Sequence, residues 1–286
     1  MKNSARTTAL RPLLVLSALA LAATSQAFAS LIDDAVVFYT FEEGSGSAIN
    51  DVSNDGNDID LQLGGSPATP TRTTGYNGEG LSFDGDDFVT SITDVTPLDF
   101  DADDAFSVAG WFRRTKEDGG TQKNLLAKME TSGPYPGWFL AWRDEDIGSN
   151  QNSILFYMRD NEGSTGNGAL AVYSNAVDST DWIHIAATYD GSSNPSGVNF
   201  YLNGAVLDTR DSADDLEDND ITDTTAPFNI GGRNGTGSWV GDADEVGVWN
   251  RELSASEIET LTTIIPEPAS ALLLALGGLA LLKRRR

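Results

Sequence analysis

The sequence contains no cysteine, a single histidine and few positively charged residues. Without cysteine the chain can have no disulfide, no thiol catalysis and no zinc-thiolate site. Its 18 Lys and Arg stand against 43 Asp and Glu, a formal net charge of -25, so nucleic acid is not expected as a partner. The many carboxylates instead favour calcium, which takes oxygen ligands. Solubility or adaptation to salt is the alternative explanation of the charge.

The sequence also lacks a hydrophobic run of the ~20 residues that a membrane-spanning helix needs. Residues 1–29 begin with basic residues, continue with a shorter apolar run over 13–23 and end in Ala27-Phe28-Ala29, the small-residue spacing that signal peptidase recognises. We therefore predict a secretory signal peptide over residues 1–29 and an exported protein. A retained membrane anchor is the alternative.

Residues 181–208, DWIHIAATYDGSSNPSGVNFYLNGAVLD, predict three consecutive antiparallel strands. Over 182–189 both alternating faces are fairly apolar, which is typical of a central strand. The next two strands flank Asn203-Gly204, a dipeptide that accepts positive φ at both centres of a type I′ hairpin turn. His184, the only histidine, lies inside the first strand and is interpreted as a core residue rather than a catalytic base.

Turn residues divide the rest of the chain into short segments. Further strands are predicted up to residue 41 and over 59–63, 81–85, 88–89, 106–112, 124–129, 137–143, 154–159, 170–173, 228–233 and 239–249. Residues 211–220 predict an acidic, solvated loop, and 254–257 (SASE) predict a capping box that starts a short helix through Leu261. Residues 30–265 are thus predicted to form one all-β domain.

Several of these segments carry a family resemblance. The strings LSFDG, WIHIAATYDG, IGGR and DEVGVWNRELSASEI, in this order along the chain, resemble the laminin-G-like (LamG) branch of the concanavalin A-like lectin/glucanase superfamily, over residues 35–261. The resemblance implies an antiparallel two-sheet jelly-roll sandwich with a short C-terminal helix. It does not imply a ligand, because this fold carries lectins, enzymes and adhesion modules alike.

Aromatic residues beside a Pro/Gly turn are candidates for stacking on a sugar ring. Tyr135 lies in the turn Pro134-Tyr135-Pro136, and Trp138 and Trp142 alternate along the strand that follows. Aromatic walls with a few polar groups are common in concave binding sites. We predict that Tyr135, Trp138 and Trp142 contact a glycan; a sandwich core and an ordinary turn are the alternative.

A structural calcium ion is predicted where the first and last strands meet. The resemblance implies that the two ends of the domain lie side by side, which would bring together Glu42, Asp51, Asn57, Asp58 and Asp244. Carboxylates packed without a cation would repel one another and raise each other's pKa. Residues 51–57 also match the first half of a calcium loop, whereas an Asp/Asn-rich turn without metal is the alternative.

The last 21 residues, 266–286, differ from the domain. Pro266-Glu267-Pro268, an apolar stretch and a final Lys-Arg-Arg-Arg resemble the PEP-CTERM sorting signal of Gram-negative bacteria that make exopolysaccharide. The resemblance implies a transient membrane segment that an exosortase removes. It predicts a protein of the cell envelope or of the extracellular exopolysaccharide matrix, with a permanent anchor as the alternative.

Taken together, these features predict a non-catalytic module that binds a polysaccharide or surface glycan. A structural or adhesive matrix protein without a sugar site is the first alternative, and a glycoside hydrolase is the second. Hydrolysis needs two carboxylates at a fixed separation. The E-x-D-x-(x)-E strand of hydrolases that share this sandwich is absent from the sequence.

Overall fold

Apolar residues alternate along most of the chain, and this pattern folds into short antiparallel strands. A computed structural model describes residues 23–65, 69–115, 122–133, 135–143, 150–160, 168–214, 216 and 224–263. Residues 23–33 are helical (α1). The strands and the second helix are β1 (Val37–Tyr39), β2 (Ala48–Ile49), β3 (Leu61–Gly65), β4 (Thr71–Thr74), β5 (Glu79–Asp84), β6 (Asp87–Ser91), β7 (Phe106–Arg114), β8 (Gln122–Met129), β9 (Gly137–Arg143), β10 (Ser153–Arg159), β11 (Ala169–Ala176), β12 (Ile183–Tyr189), β13 (Val198–Leu202), β14 (Ala205–Leu207), β15 (Thr209–Asp214), β16 (Asn229–Ile230), β17 (Val240–Trp249) and α2 (Ala255–Leu261).

The described strands form two sheets that pack as a jelly-roll sandwich, as predicted. One sheet has the order β14-β13-β12-β7-β17-β5-β4, with β1 also paired to β17, and the other has the order β15-β11-β10-β9-β8-β16-β6-β3-β2. In the pairing of β1 with β17, Val37 lies opposite Val248. The first and last strands of the domain are therefore neighbours.

The core lies between the two sheets and is rich in aromatic rings. Phe106 is fully buried and stacks on Phe100 with ring centroids 4.3 Å apart, and Trp138 and Phe156 pack against the same ring. Burying each large apolar side chain contributes roughly 1.5–3 kcal/mol, so a core of this extent needs no disulfide.

Two local predictions are confirmed in detail. The hairpin between β13 and β14 turns at Asn203 and Gly204, whose φ values of 50° and 81° are both positive. The side chain of Ser254 accepts a hydrogen bond from the Glu257 amide while the Glu257 carboxylate accepts one from the Ser254 amide, which is the predicted capping box.

Two predicted segments differ from the structure. The stretch predicted as an acidic loop begins with β15, which pairs with β11 so that Asp211 lies opposite Tyr173. A charged, exposed strand is tolerated at this position because β15 is the edge of its sheet. The strand predicted over 228–233 is only β16, because Gly231 turns the backbone with a φ of 80°.

The outer faces of the two sheets differ in what covers them. On the eight-stranded sheet α1 and α2 bury a cluster around Trp249, whose Nε1 donates to the carbonyl oxygen of Leu31 at 2.8 Å. On the nine-stranded sheet the outer side chains form a smaller apolar cluster of Ala127, Met129, Phe139, Ala141, Leu155 and Ala171, flanked by the half-buried Tyr157 and Tyr173. Among the members of this second cluster, only Tyr157 and Tyr173 are partly exposed.

Candidate functional site

The predicted aromatic platform lies only partly at the surface. Trp138 and Trp142 are each 1% exposed, whereas Tyr135 is 39% exposed. Trp138 Nε1 donates to the carbonyl oxygen of Leu98 at 2.9 Å, and Trp142 stacks on Trp239. Strand alternation points both β9 tryptophans into the sandwich. This burial corrects the prediction: the two tryptophans are core residues whose rings no glycan can reach from outside.

The outer face of β9, β10 and β11 forms a groove with aromatic walls. Phe139 and Tyr157 are register partners on adjacent strands, and their rings stack with centroids 4.9 Å apart. Tyr173 of β11 and Tyr135, just before β9, line the same cavity of about 350 Å³. This volume falls in the range of ~300–1,000 Å³ that is usual for small-molecule sites.

Arginine side chains surround these rings. The guanidinium carbons of Arg159 and Arg233 lie 5.7 and 5.9 Å from the ring centroid of Tyr135, and that of Arg143 lies 5.1 Å from the ring of Tyr173. Burial lowers the pKa of Arg233 below its usual value, although a guanidinium stays protonated in proteins. The Nε of Arg233 is buried and donates to none of the described residues.

A second cavity of about 400 Å³ continues the first, since Gln122 and Arg233 line both. The other residues that line it are small or polar: Gly85, Lys123, Asn124, Gly235, Thr236, Gly237 and Ser238. We call the two cavities together the arginine groove. It has an aromatic half beside Tyr135 and a polar half beside Asn124, and Arg233 stands between them.

Part of this groove was detectable in the sequence. The alternation along residues 137–143 separates Trp138 and Trp142 from Phe139 and Arg143, and the alternation along 153–159 places Tyr157 and Arg159 on one face. The prediction rests instead on the aromatic residues beside the Pro/Gly turn, and two of these, Trp138 and Trp142, face inward. The convergence of Arg233 on the same groove depends on tertiary packing.

At the edge of the other sheet, three carboxylates surround the turn before β5. Asp244 Oδ2 accepts a hydrogen bond from the backbone amide of Asn77 at 2.9 Å, and Glu245 Oε1 accepts one from the Asn77 side chain at 2.9 Å. Glu42 Oε1 accepts one from the backbone amide of Glu79 at 2.8 Å. We call Glu42, Asn77, Asp244 and Glu245 the carboxylate turn.

A β-bulge in β17 directs Asp244 and Glu245 to the same turn. The pairing of β17 with β7 changes register between Asp244 and Gly247, and Glu245 has a φ of 50°. Regular alternation would send the two side chains to opposite faces. The arrangement implied by the resemblance therefore identified Asp244, whereas Glu245 was missed because nothing in the sequence marks the bulge.

The carboxylate turn carries more negative charge than its protein partners balance. Burial, with the charges of Glu245 and Glu42 adding to it, raises the pKa of Asp244 to about 8. Burial and the charge of Glu42 raise the pKa of Glu245 to about 7. Glu245 Oε2 is buried and accepts a hydrogen bond from none of the described residues. Protons or a cation must balance this charge.

The other predicted calcium ligands form a separate turn. Asp51 accepts hydrogen bonds from the backbone amides of Phe38 at 3.0 Å, Ser53 at 2.9 Å and Ile59 at 3.2 Å. Asn57 and Asp58 are exposed. The Asp51 carboxylate thus holds the turn closed by bonding backbone amides, as Asp side chains in turns commonly do.

The five predicted ligands are consequently divided between two places. Glu42 and Asp244 meet at the carboxylate turn, whereas Asp51, Asn57 and Asp58 belong to the turn between β2 and β3. Within the described ranges, no three His, Cys, Asp or Glu side chains stand ready, as placed, to hold one metal ion.

The lone histidine has no role in either place. His184 is 2% exposed, and burial lowers its pKa to about 3, so its ring is neutral in the folded protein. Its ring packs edge-on against Trp111 with centroids 5.4 Å apart. The prediction that His184 is a core residue is confirmed.

The terminal predictions fall largely outside the described residues. Residues 1–22, and Pro266, Glu267 and Pro268 with the rest of the sorting segment, are not among them. In the described part of the chain, no helix combines the length and the apolar character needed to cross a membrane.

Comparison with known proteins supports the fold at the family level. A laminin-G-type family model, described as the concanavalin A-like lectin/glucanases superfamily, matches residues 83–259. No curated protein matches the sequence.

Solved structures with a similar fold come from several kinds of protein. They include the binding domain of Paraclostridial Mosquitocidal Protein 1 (TM-score 0.59, 18% identity, 81% of this chain and 52% of that chain). Domain 4 of AbnA, a GH43 extracellular arabinanase from Geobacillus stearothermophilus in complex with arabinotriose, has a TM-score of 0.57 and 15% identity over 80% of this chain and 98% of that chain. Trypanosoma rangeli sialidase has a TM-score of 0.51 and 16% identity over 80% of this chain and 32% of that chain. The chain spans about half of the first of these structures, and at such identities the likeness concerns the fold alone.

Proposed function

The chain belongs to the concanavalin A-like lectin/glucanases superfamily, and we propose that it is an exported, non-catalytic carbohydrate-binding module. The observation that carries this proposal is the aromatic half of the arginine groove, where Tyr135, Phe139, Tyr157 and Tyr173 line one open cavity. The module would act at the cell surface or in the surrounding polysaccharide matrix.

The groove has the two kinds of contact that a sugar needs. An aromatic face can cover the apolar C–H face of a pyranose or furanose ring, and offset rings at different positions can hold successive sugars. The polar half supplies the side chains of Gln122 and Thr236, which can hydrogen-bond hydroxyl groups. Asn124 and Ser238 also line it but are 3% and 5% exposed, and Asn124 holds the wall together by bonding Gln122 and the carbonyl oxygens of Thr236 and Gly237. An extended oligosaccharide lying across both cavities would use both kinds of contact.

The charge of the groove favours binding over hydrolysis. Glycoside hydrolysis by the usual routes needs a pair of carboxylates beside the scissile bond. Among the described residues that line the two cavities, none is Asp or Glu. The acidic residues of the carboxylate turn belong to the other sheet and bond its backbone amides. A second acidic cluster, Asp84, Asp86 and Asp87, lies beside Gly85, but its side chains do not line the cavity.

A glycan array probed with the full chain tests the proposal, together with an assay for released reducing sugar. We expect retention on a subset of glycans and no release of reducing sugar. Release would establish a hydrolase instead. Retention on no glycan would contradict the proposal and favour a structural or adhesive matrix protein without a sugar site.

The terminal segments support the proposed location. An N-terminal segment with the features of a signal peptide and a C-terminal segment that resembles the PEP-CTERM signal are what an exosortase-sorted envelope protein carries. We expect protein isolated from its native host to lack residues 1–29 and the segment from about residue 266 onward, as measured by intact mass. A mass that includes the basic C-terminal tail would favour a permanent anchor.

A calcium ion at the carboxylate turn is a further part of the proposal. Glu42, Asp244 and Glu245 offer carboxylate oxygens, the ligands that calcium prefers, and the raised pKa values of the last two residues support a need for a cation. Glu245 Oε2, which has no described partner, supports it as well. The ion would stabilise the junction of β1 and β17 and would take no part in ligand chemistry.

A further inference from the structure

Two cations of the arginine groove, Arg159 and Arg233, differ from most others in the described part of this acidic chain. Elsewhere arginine and lysine side chains are paired with carboxylates: Arg72 with Glu43, Arg113 with Asp242, Arg114 with Asp178, Lys128 with Asp94 and Asp99, and Arg251 with Asp34 and Glu257. Arg159 and Arg233 form no ion pair with any carboxylate in the described part of the chain. They lie over the ring of Tyr135 instead.

We propose that the glycan bound in the arginine groove is anionic, a polysaccharide that carries carboxylate or sulfate groups. This inference rests on the proposed function and specifies the ligand of the same site. In a protein with 43 acidic residues, two cations that keep their charge unpaired in an open cavity are placed to receive an anion from outside.

The chemistry of Arg233 fits this assignment closely. Its side chain is half-buried, and its Nη1 donates to Met129 Sδ at 3.1 Å, a weak acceptor that leaves the positive charge unbalanced. Its Nε is buried without a partner among the described residues. A guanidinium presents parallel N–H groups that match the two oxygens of a carboxylate or sulfate, so an anion would satisfy donors that the protein leaves open.

The arrangement of rings and cations also fits a charged sugar better than a neutral one. A uronic acid or a sulfated sugar carries its anion at the edge of the ring, while its C–H face remains free to stack. Tyr157 offers a face for stacking within the same cavity as Arg159 and Arg233. Because the site is partly shielded from water, the attraction between its arginines and an anion is stronger there than in bulk solvent.

Titration of the full chain with three polymers tests the inference: polygalacturonate, which carries carboxylates, dextran sulfate, which carries sulfates, and unmodified dextran, which is neutral. We expect at least one anionic polymer to bind at least tenfold more tightly than dextran. The anionic polymer that binds more tightly identifies the anion as carboxylate or sulfate.

Variants separate the groove from general electrostatics. The double variant Arg159→Gln with Arg233→Gln should lose at least tenfold in affinity for the anionic polymer. Arg210→Gln, which removes an exposed arginine that lines neither cavity, should leave the affinity within twofold. If thermal melts show that the double variant is unfolded, the single variant Arg233→Lys replaces it in the test. Lysine keeps the positive charge but lacks the paired N–H groups of the guanidinium, so a several-fold loss of affinity for the anionic polymer is expected.

Three results would overturn the inference. Equal affinity for dextran and the anionic polymers would leave the groove as a site for neutral glycans, so the proposed function would stand without the inference. If the arginine variants bind the anionic polymers as tightly as the unaltered protein does, another surface of the protein binds them. Binding of none of the three polymers would also reject an anionic ligand, and the glycan array then decides separately whether the groove binds carbohydrate at all.

Discussion

The arginine groove and the carboxylate turn carry opposite charges, yet they share one property. Each holds buried or half-buried charge that has no partner of opposite sign among the described residues: Arg159 and Arg233 in the groove, Asp244 and Glu245 in the turn. Most other buried ionic groups are paired, and Lys128, which is 0% exposed, has two aspartates. Desolvated charge is costly unless it is compensated. These are therefore the two places where we propose that a ligand supplies the missing partner.

The largest effect is expected where a buried charge is already paired. Lys128 Nζ bonds Asp94 at 2.9 Å, Asp99 at 2.5 Å and the Thr224 carbonyl oxygen at 3.0 Å. Lys128→Ala should leave two carboxylates without their cation and lower the free energy of unfolding by about 3–5 kcal/mol. Urea denaturation measures it. A loss below 1 kcal/mol would show that a buried charge without a partner costs little in this protein, so that unpaired charge would not indicate a ligand site.

Calcium provides the next test, at the carboxylate turn. If the ion binds only the folded protein, a hundredfold excess over its Kd adds about 2.7 kcal/mol of stability. Thermal melts in millimolar calcium and in EDTA should then differ by several degrees, and Asp244→Asn should remove the difference. Asp51→Asn is the control, because Asp51 bonds backbone amides and its replacement should lower both melts alike. Identical melts of the unaltered protein with and without calcium would contradict a metal site.

The same turn predicts a pH dependence in the absence of metal. The pKa values of Asp244 and Glu245, about 8 and about 7 when folded, lie above those of the unfolded chain, near 4. Between those limits the folded protein binds more protons, so stability falls as pH rises, by up to about 1.4 kcal/mol per pH unit for each group.

The melting temperature in EDTA should consequently be higher at pH 5.5 than at pH 8.5, and calcium should reduce the difference between these two melting temperatures. Asp244→Asn should remove most of this dependence of stability on pH. A stability that rises with pH over this range would mean that both carboxylates are already balanced by protein partners.

The smallest effect is expected for an unpaired groove cation. Arg233 has no carboxylate to lose among the described residues, so Arg233→Gln should change the free energy of unfolding by no more than about 0.5 kcal/mol without ligand. In the same denaturation assay, Lys128→Ala should lose several kcal/mol of unfolding free energy, whereas Arg233→Gln should lose almost none. A loss of several kcal/mol would make Arg233 a structural residue rather than a binding residue.

Sequence pattern predicted the sandwich well because strand alternation and turn chemistry are local. The two-sided apolar strand around His184, the hairpin at Asn203-Gly204 and the capping box at Ser254 all depend on neighbouring residues, and all three are confirmed. The resemblance of the motifs added the side-by-side arrangement of β1 and β17.

The candidate sites were predicted less well because they depend on which face a strand presents and on contacts between distant segments. Trp138 and Phe139 are adjacent in sequence, and only packing determines which of them faces the core. The bulge that redirects Glu245 has a backbone cause that alternation does not reveal. Asp51 has the chemistry of a calcium ligand but is occupied by backbone amides.

A single titration shows whether the aromatic half of the arginine groove binds glycan. With a glycan retained on the array as titrant, calorimetry should show that Tyr157→Ala lowers the affinity at least tenfold while its melting temperature stays close to that of the unaltered protein. Tyr76→Ala, which removes an exposed tyrosine that stacks on Trp111 of the other sheet, should bind as the unaltered protein does. If Tyr157→Ala keeps full affinity for the glycan, or if only Tyr76→Ala loses affinity, the glycan binds outside the arginine groove.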